Sequence, residues 1–273
     1  MKIALGTAQF GMNYGINNKR GKIPKEEVFK ILKNAIDSNI EIIDTAFDYG
    51  ESEKVIGDFG EKNKLKIITK GDVNNFEQSL ENLKVDKVYG YLIHHFEDFK
   101  VDRKIWEKIK EKKKNGKVEK IGFSFYNPKE IEYILKNDIN PDIVQIPYNI
   151  FDRRFEYLIE ELKKMNVEIY ARSIFLQGLV FKKEFDGVFL KIKDKVELLN
   201  TISKTTGVPI SAICINFVLL NRDIDFVVLG VDGIQNFEEN VKSVKYKNEI
   251  RKKFEKLKEL REEDERLINP SKW

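Results

Sequence analysis

Cysteine is nearly absent from this sequence. Its 273 residues contain one, Cys214, so no internal disulfide can form. The apolar run ISAICINFVLL around it marks a buried structural thiol. No stretch reaches the roughly 18 apolar residues of a membrane-spanning helix. The N-terminal MKIALGTAQFG turns polar too early for a signal peptide, and a reducing, cytoplasmic setting is expected. An excess of one charge is missing too. The net charge is +4, and Lys and Glu alternate along the helical segments, so neither a nucleic-acid nor a membrane partner is expected. The first strand is followed by GTAQFGMNYG, which lacks the GxGxxG spacing of a doubly wound dinucleotide fold.

What is present is a rhythm. Hydrophobic residues at 41% supply a large core, and charged residues at 34% supply a solvated exterior. Short apolar strands are expected at residues 3–7, 41–46, 65–70, 89–94, 118–124, 142–146, 167–171 and 226–229. Helical periodicity separates them, at 25–38, 52–59, 73–83, 102–114, 128–137, 153–165, 195–205, 209–220 and 234–244. Parallel neighbours need helical crossovers, and eight such units in one domain-sized chain favour closure into an α/β barrel, a (β/α)8 TIM barrel. Residues 1–273 are read as one domain, with the barrel ending near 245. Residues 247–273 form a tail whose Ile250, Phe254, Leu257 and Leu260 make an apolar stripe. One helix packed outside the barrel is expected there, with a dimer contact as the lesser alternative and a monomer as the default.

In such a barrel the chemistry sits at the C-terminal ends of the strands. Asp44 ends EIID, Lys70 ends KIITK, His94 ends YLIH, and Tyr49 follows in DTAFDYG. Alternation along each strand sends Asp44, Lys70 and His94 toward one mouth. Singly, each has a structural explanation: a cap, a lysine at the rim, a core histidine. Three on consecutive strand ends point to a site. The chain's two histidines, His94 and His95, are adjacent and are expected to face opposite sides with no third ligand in view, so no metal is expected. A strand-end lysine also suits a Schiff-base aldolase.

The segments LGTAQFG, IDTAFDYG, ITK, YLIH, IGFS, VQIPYN and LGVDGIQNFEENV occur in an order that resembles the aldo-keto reductase family, over nearly the whole chain to about residue 245. The resemblance implies a nicotinamide-dependent oxidoreductase acting on a small-molecule carbonyl, with Asp44, Tyr49, Lys70 and His94 as its catalytic set. Tyr49 would be the general acid, eased toward tyrosinate by Lys70, with Asp44 holding the lysine and His94 hydrogen-bonding the carbonyl oxygen. The cofactor contacts implied are Gly6, Thr7, Ser124, Gln145, Arg172, Gly230, Asp232, Asn236, Glu239 and Asn240. Ser124 and Gln145 fall where relatives hold the nicotinamide carboxamide. Arg172 stands where many relatives stack a tyrosine, and Phe125 replaces a familiar Asn. A catalytically silent nicotinamide-binding protein is the alternative these two departures raise. The chain starts at the first barrel strand, so the hairpin that plugs the barrel bottom in many relatives is not expected. Phe10, Tyr14, Phe47, Phe96 and Tyr126 are expected to rim the mouth, and Asn149 and Arg153 to shape it or cap a helix. The last loop offers backbone amides from Gly230 to Ile234 for a phosphate and no basic side chain. The resemblance narrowly favours NADP(H), with NAD(H) possible.

Overall fold

The structure, a computed structural model, describes residues 1–16 and 18–273. Eight strands, β1 (Ile3–Gly6), β2 (Ile42–Asp44), β3 (Lys66–Gly71), β4 (Val88–Ile93), β5 (Val118–Ser124), β6 (Ile143–Pro147), β7 (Glu168–Arg172) and β8 (Phe226–Gly230), close a parallel barrel in chain order. Ala4, Ile42, Ile68, Leu92, Ile143, Tyr170 and Val228 fill its interior. The alternate residues, such as Ile43, Ile67 and Ile121, join a larger core shared with the surrounding helices. Strand side chains also fill the N-terminal end. The Tyr89 hydroxyl donates to Glu168 Oε2 at 3.2 Å, Lys120 pairs with Glu168, and Tyr170 stacks on Phe226 at 4.8 Å.

The helices form where the periodicity places them. Lys25–Asp37 buries Val28, Ile31, Leu32 and Ala35. Pro128–Lys136 starts in a capping box, its Asn127 accepting from the Lys129 amide while Glu130 reaches back. Ile210–Leu219 is buried from Ala212 onward, which accounts for the apolar run around Cys214. Among the described residues no single helix is long and apolar enough to cross a membrane.

Three expectations change. Segment 73–83 divides, because the Asp72 carboxylate accepts from the Asn74 amide and sets a 3-10 turn, Val73–Asn75, before helix Phe76–Leu83. Helix Phe96–Val101 appears between β4 and Lys104–Lys114, burying Phe96 and Phe99. The tail is not one helix but three short ones, Lys247–Arg251, Phe254–Lys258 and Glu265–Ile268, with a final turn at Pro270–Lys272. Ile250, Leu257 and Leu260 are buried, and Phe254 packs on Phe217. The breaks follow from competition for backbone groups. The Lys258 carbonyl accepts from Arg153 at 2.6 Å and the Glu262 amide donates to Phe151 O at 2.9 Å, bending the tail around the barrel.

β5 and β6 approach each other closely at Gly122, opposite Ile143, where a Cβ would lie 1.7 Å from the Ile143 carbonyl oxygen. Gly122→Ala is expected to lose about 3 kcal/mol or more of stability by urea denaturation. An unchanged midpoint would show that the two strands part easily there.

Candidate active site

Asp44 and Lys70 reach inward from neighbouring strands and meet, Lys70 Nζ lying 2.7 Å from Asp44 Oδ2, with both side chains almost fully buried. Gln145, from β6, donates to the other oxygen, Oδ1, at 2.6 Å. Burial pulls Lys70 below the ordinary lysine range, and Asp44 opposes that shift. The lysine amine is tied to Asp44 beneath the cleft and does not line it, an arrangement unsuited to the attack a Schiff-base aldolase needs.

The turn after β2 brings Tyr49 over this pair. Lys70 Nζ lies 5.1 Å from the Tyr49 ring centroid, and the His94 ring meets Tyr49 edge-on at 5.9 Å. The turn is held by Ser52, whose Oγ donates to Thr7 O at 3.0 Å, and by the absence of a side chain at Gly11, where a Cβ would fall 1.8 Å from Tyr49 O. The segments LGTAQFG and DTAFDYG therefore pack as one unit. The Tyr49 hydroxyl has no hydrogen-bond partner among the described residues. Burial, helped by the Asp44 charge, holds Tyr49 well above the usual tyrosine range. Lys70 faces the ring, and Asp44 engages its charge.

His94 lies just past β4, so strand alternation no longer applies, and His94 and His95 do not face opposite sides. Their rings stack at 4.6 Å, and Asp48 lies 3.1 Å from His94 Nδ1 and 3.5 Å from His95 Nε2. Asp48 also supplies the third ligand-type side chain that the sequence did not reveal, all three ligand atoms lying within 4.8 Å of one another. Burial, with Lys70, His95 and Arg172 adding to it, pushes His94 down to about 2, so its ring is neutral at physiological pH. A carboxylate only accepts, so the neutral ring carries its proton on Nδ1 and leaves Nε2 as an acceptor. Donation from His94 to a carbonyl oxygen requires the other tautomer, which Asp48 opposes.

Above these groups opens a cleft lined by Gly6, Thr7, Ser124, Gln145, Arg172, Gly230, Asp232 and Asn236. Glu239 is exposed, and Asn240 faces a second, small cavity beside β1 and β8, so neither lines the main cleft. Ser124 Oγ and Gln145 Oε1 are buried without partners. One hydroxyl donor and one amide acceptor are what a carboxamide needs, so these residues fit a nicotinamide. Of the expected aromatic rim, Tyr14 and Tyr126 line the cleft, whereas Phe10 and Phe96 are core residues and Phe47 lies outside the lining. Phe125 is also buried, stacked on Phe123 at 5.3 Å. Asn149 and Arg153 do not shape the mouth directly. Asn149 donates to Ser173 O at 2.9 Å, tethering the loop after β7, and Arg153 anchors the tail.

The sequence matches the Aldo/keto reductase family over residues 2–262. The chain belongs to the aldo/keto reductase family. It is 24% identical over 256 residues to the uncharacterized oxidoreductase YqkF of Bacillus subtilis, covering 80% of this chain and 82% of that one. It is also 24% identical over 189 residues to the aldo-keto reductase YhdN of the same organism, covering 60% of this chain and 55% of that one. Its fold matches the aldo-keto reductase AKR11C1 from Bacillus halodurans with a TM-score of 0.76 at 19% identity, covering 94% of this chain and 91% of that one. The protein is an enzyme of the family's kind, an oxidoreductase that uses a nicotinamide cofactor on carbonyl groups.

In this aldo-keto reductase two residues from the N-terminal part of the chain, missed in the sequence, reach the last loop. Arg20, from the loop after β1, pairs with Glu27 at 2.8 Å and donates to Asp232 O at 3.0 Å. Glu27 Oε1 accepts the Ile234 amide at 2.9 Å, and Arg20 holds the Glu27 carboxyl below the usual range. The Ile234 amide expected to meet a phosphate is thus already capped, and a basic group stands beside the loop, neutralised. Asn236 is occupied as well, its Oδ1 accepting from the Asp232 amide at 3.3 Å.

Nitrogen-15 NMR of the His94 ring is expected to show a proton on Nδ1 and no titration between about pH 5 and 8, although a free histidine titrates near 6.5. Asp48→Asn, whose amide can donate to Nδ1, should move the proton to Nε2. A titration near 6.5, or the same tautomer in both proteins, would show that Asp48 does not set the ring.

Proposed function

We propose that this aldo-keto reductase reduces an aldehyde or ketone with Tyr49 as the proton donor, and that Asp44, Lys70 and His94 complete its catalytic set. The observation that carries this reading is the buried Asp44–Lys70 pair beneath a protonated tyrosine whose hydroxyl is unpartnered. When bound, a reduced nicotinamide would supply the hydride that the carbonyl carbon receives. Ser124 and Gln145 would hold its carboxamide through their free Oγ and Oε1. The Tyr49 hydroxyl binds the carbonyl oxygen and gives it a proton as that oxygen turns alkoxide-like. The Lys70 ammonium, 5.1 Å from the ring centroid, then stabilises the tyrosinate left behind. Asp44 keeps Lys70 charged and fixed, and His94 walls the carbonyl end. We read residues 1–273 as one domain and the protein as a cytoplasmic monomer; the one cysteine, free and buried, fits a reducing compartment.

For the cofactor we infer weak discrimination, and the charges around the last loop move the narrow sequence-based preference for NADP(H) toward NAD(H). Arg20 is neutralised by Glu27, and the Asp232 carboxyl adds a negative charge beside the loop, which disfavours a 2′-phosphate there.

Tyr49→Phe is expected to lower kcat for aldehyde reduction, followed as loss of reduced cofactor, by about 100- to 10,000-fold. Turnover unaffected by the change would remove Tyr49 from the acid role. Dissociation constants for NADPH and NADH should differ by less than about 100-fold, and Glu27→Ala, which frees Arg20 and the Ile234 amide, should shift the ratio toward NADPH by about 10-fold. A wild-type preference for NADPH beyond about 1,000-fold, or a ratio untouched by Glu27→Ala, would show that the phosphate is gripped elsewhere.

A further inference from the structure

Arg172 ends β7 and lines the cleft opposite the Asp44–Lys70 pair. Its guanidinium lies 4.2 Å from the Tyr126 ring centroid, donates to Phe125 O at 2.8 Å and contacts Ser173 Oγ at 3.2 Å. Only two of its five N–H donors are used in this way. Nε is buried without a partner, and among the described residues Arg172 makes no ion pair. The cleft's two carboxylates are committed elsewhere, Asp44 to Lys70 and Gln145, and Asp232 to Gln9. A half-buried guanidinium without a counter-charge is costly unless an anion completes it. The reacting end of the cleft has no anion to offer, since Tyr49 is protonated and His94 neutral. A nicotinamide ring is neutral when reduced and cationic when oxidised, so it is not the missing counter-charge.

We propose that Arg172 is a specificity-determining residue that binds an anionic oxygen group, a carboxylate above all, on the carbonyl substrate, so that the enzyme favours oxo acids over neutral aldehydes. Stacking on Tyr126 and the bonds to Phe125 O and Ser173 Oγ fix the guanidinium plane, and with Nε turned away from the cleft the remaining N–H on each of Nη1 and Nη2 is left for the acid group. The carbonyl of the same molecule then lies at Tyr49, within the one cleft. This assignment rests on the carbonyl-reductase reading for its catalytic consequence, though not for binding. The cofactor diphosphate carries the same kind of oxygen, and the test separates the two sources.

The test compares 4-oxobutanoate with butanal and 5-oxopentanoate with pentanal, using purified enzyme and reduced cofactor. The oxo acids are expected to have the higher kcat/KM by about 10- to 150-fold. Whatever its effect on absolute rates, Arg172→Gln should reduce that ratio by a similar factor, and Arg172→Lys should restore part of it. Equal or higher kcat/KM for the neutral aldehydes in the wild type overturns the proposal. So does a ratio unaltered by Arg172→Gln while the cofactor dissociation constant rises, a result that assigns Arg172 to the diphosphate. Binding is read separately from the Arg172 Nη–H resonances, which 4-hydroxybutanoate should shift and butan-1-ol should not. Such a shift without turnover of any aldehyde keeps the Arg172 assignment and removes the reductase reading. Turnover of neutral aldehydes with no shift does the reverse.

Discussion

A lysine ammonium and a carboxylate 2.7 Å apart, both removed from water, are the interaction on which the rest of the site depends. Desolvating two charges costs several kcal/mol each, and the pair persists only if geometry and further hydrogen bonds offset that cost. The barrel provides both. β2 and β3 are adjacent, with Asp44 opposite Ile68 and Lys70 the next residue on the same face, so the lysine reaches back to the carboxylate, and β6 brings Gln145 to the remaining oxygen. Breaking the pair would leave one buried charge unpaired, the more expensive outcome. It therefore behaves as a fixed element around which the mobile chemistry is arranged.

The fixed pair decides how charge is distributed across the cleft. Asp44 cancels much of what Lys70 would do to Tyr49 at rest, so the tyrosine keeps its proton until a carbonyl oxygen needs it. Burial and neighbouring cations keep His94 neutral, and Asp48 anchors the ring from the solvent side. The resting mouth thus holds a proton donor, a neutral imidazole and the unpaired cation of Arg172. A positive bias of this kind favours development of negative charge on a reacting oxygen.

The periphery serves the same end. Asn149 holds the Ser173 carbonyl, and Gln177 O accepts the Ile16 amide at 3.0 Å, so the loops after β7 and β1 meet over the cleft. Ser173, Leu176 and Gln177 adopt left-handed backbone conformations with φ of 59, 47 and 52°. Non-glycine residues take such conformations at a cost, and here the cost is borne in the wall of the cleft.

The sequence by itself determined the barrel and the inward set of Asp44 and Lys70, because two-residue and 3.6-residue periodicities are local properties that one strand or helix carries alone. It placed Tyr49 and His94 near them, since each lies within a few residues of a strand end. Ser124 and Gln145 were legible only through family resemblance, since no local pattern sets an orphaned hydroxyl apart from an ordinary one. Tertiary structure alone decided the rest. Arg20 and Glu27 meet Asp232 and Ile234 across more than 200 positions. His95 turned to stack on His94 because the strand had ended, which no alternation rule anticipates. The tail broke into short helices because distant side chains claimed its backbone groups. Whether Tyr49 holds its proton, whether His94 can donate, and whether Arg172 has a counter-charge depend on burial and on partners from other strands. Those quantities exist only once the chain has closed on itself.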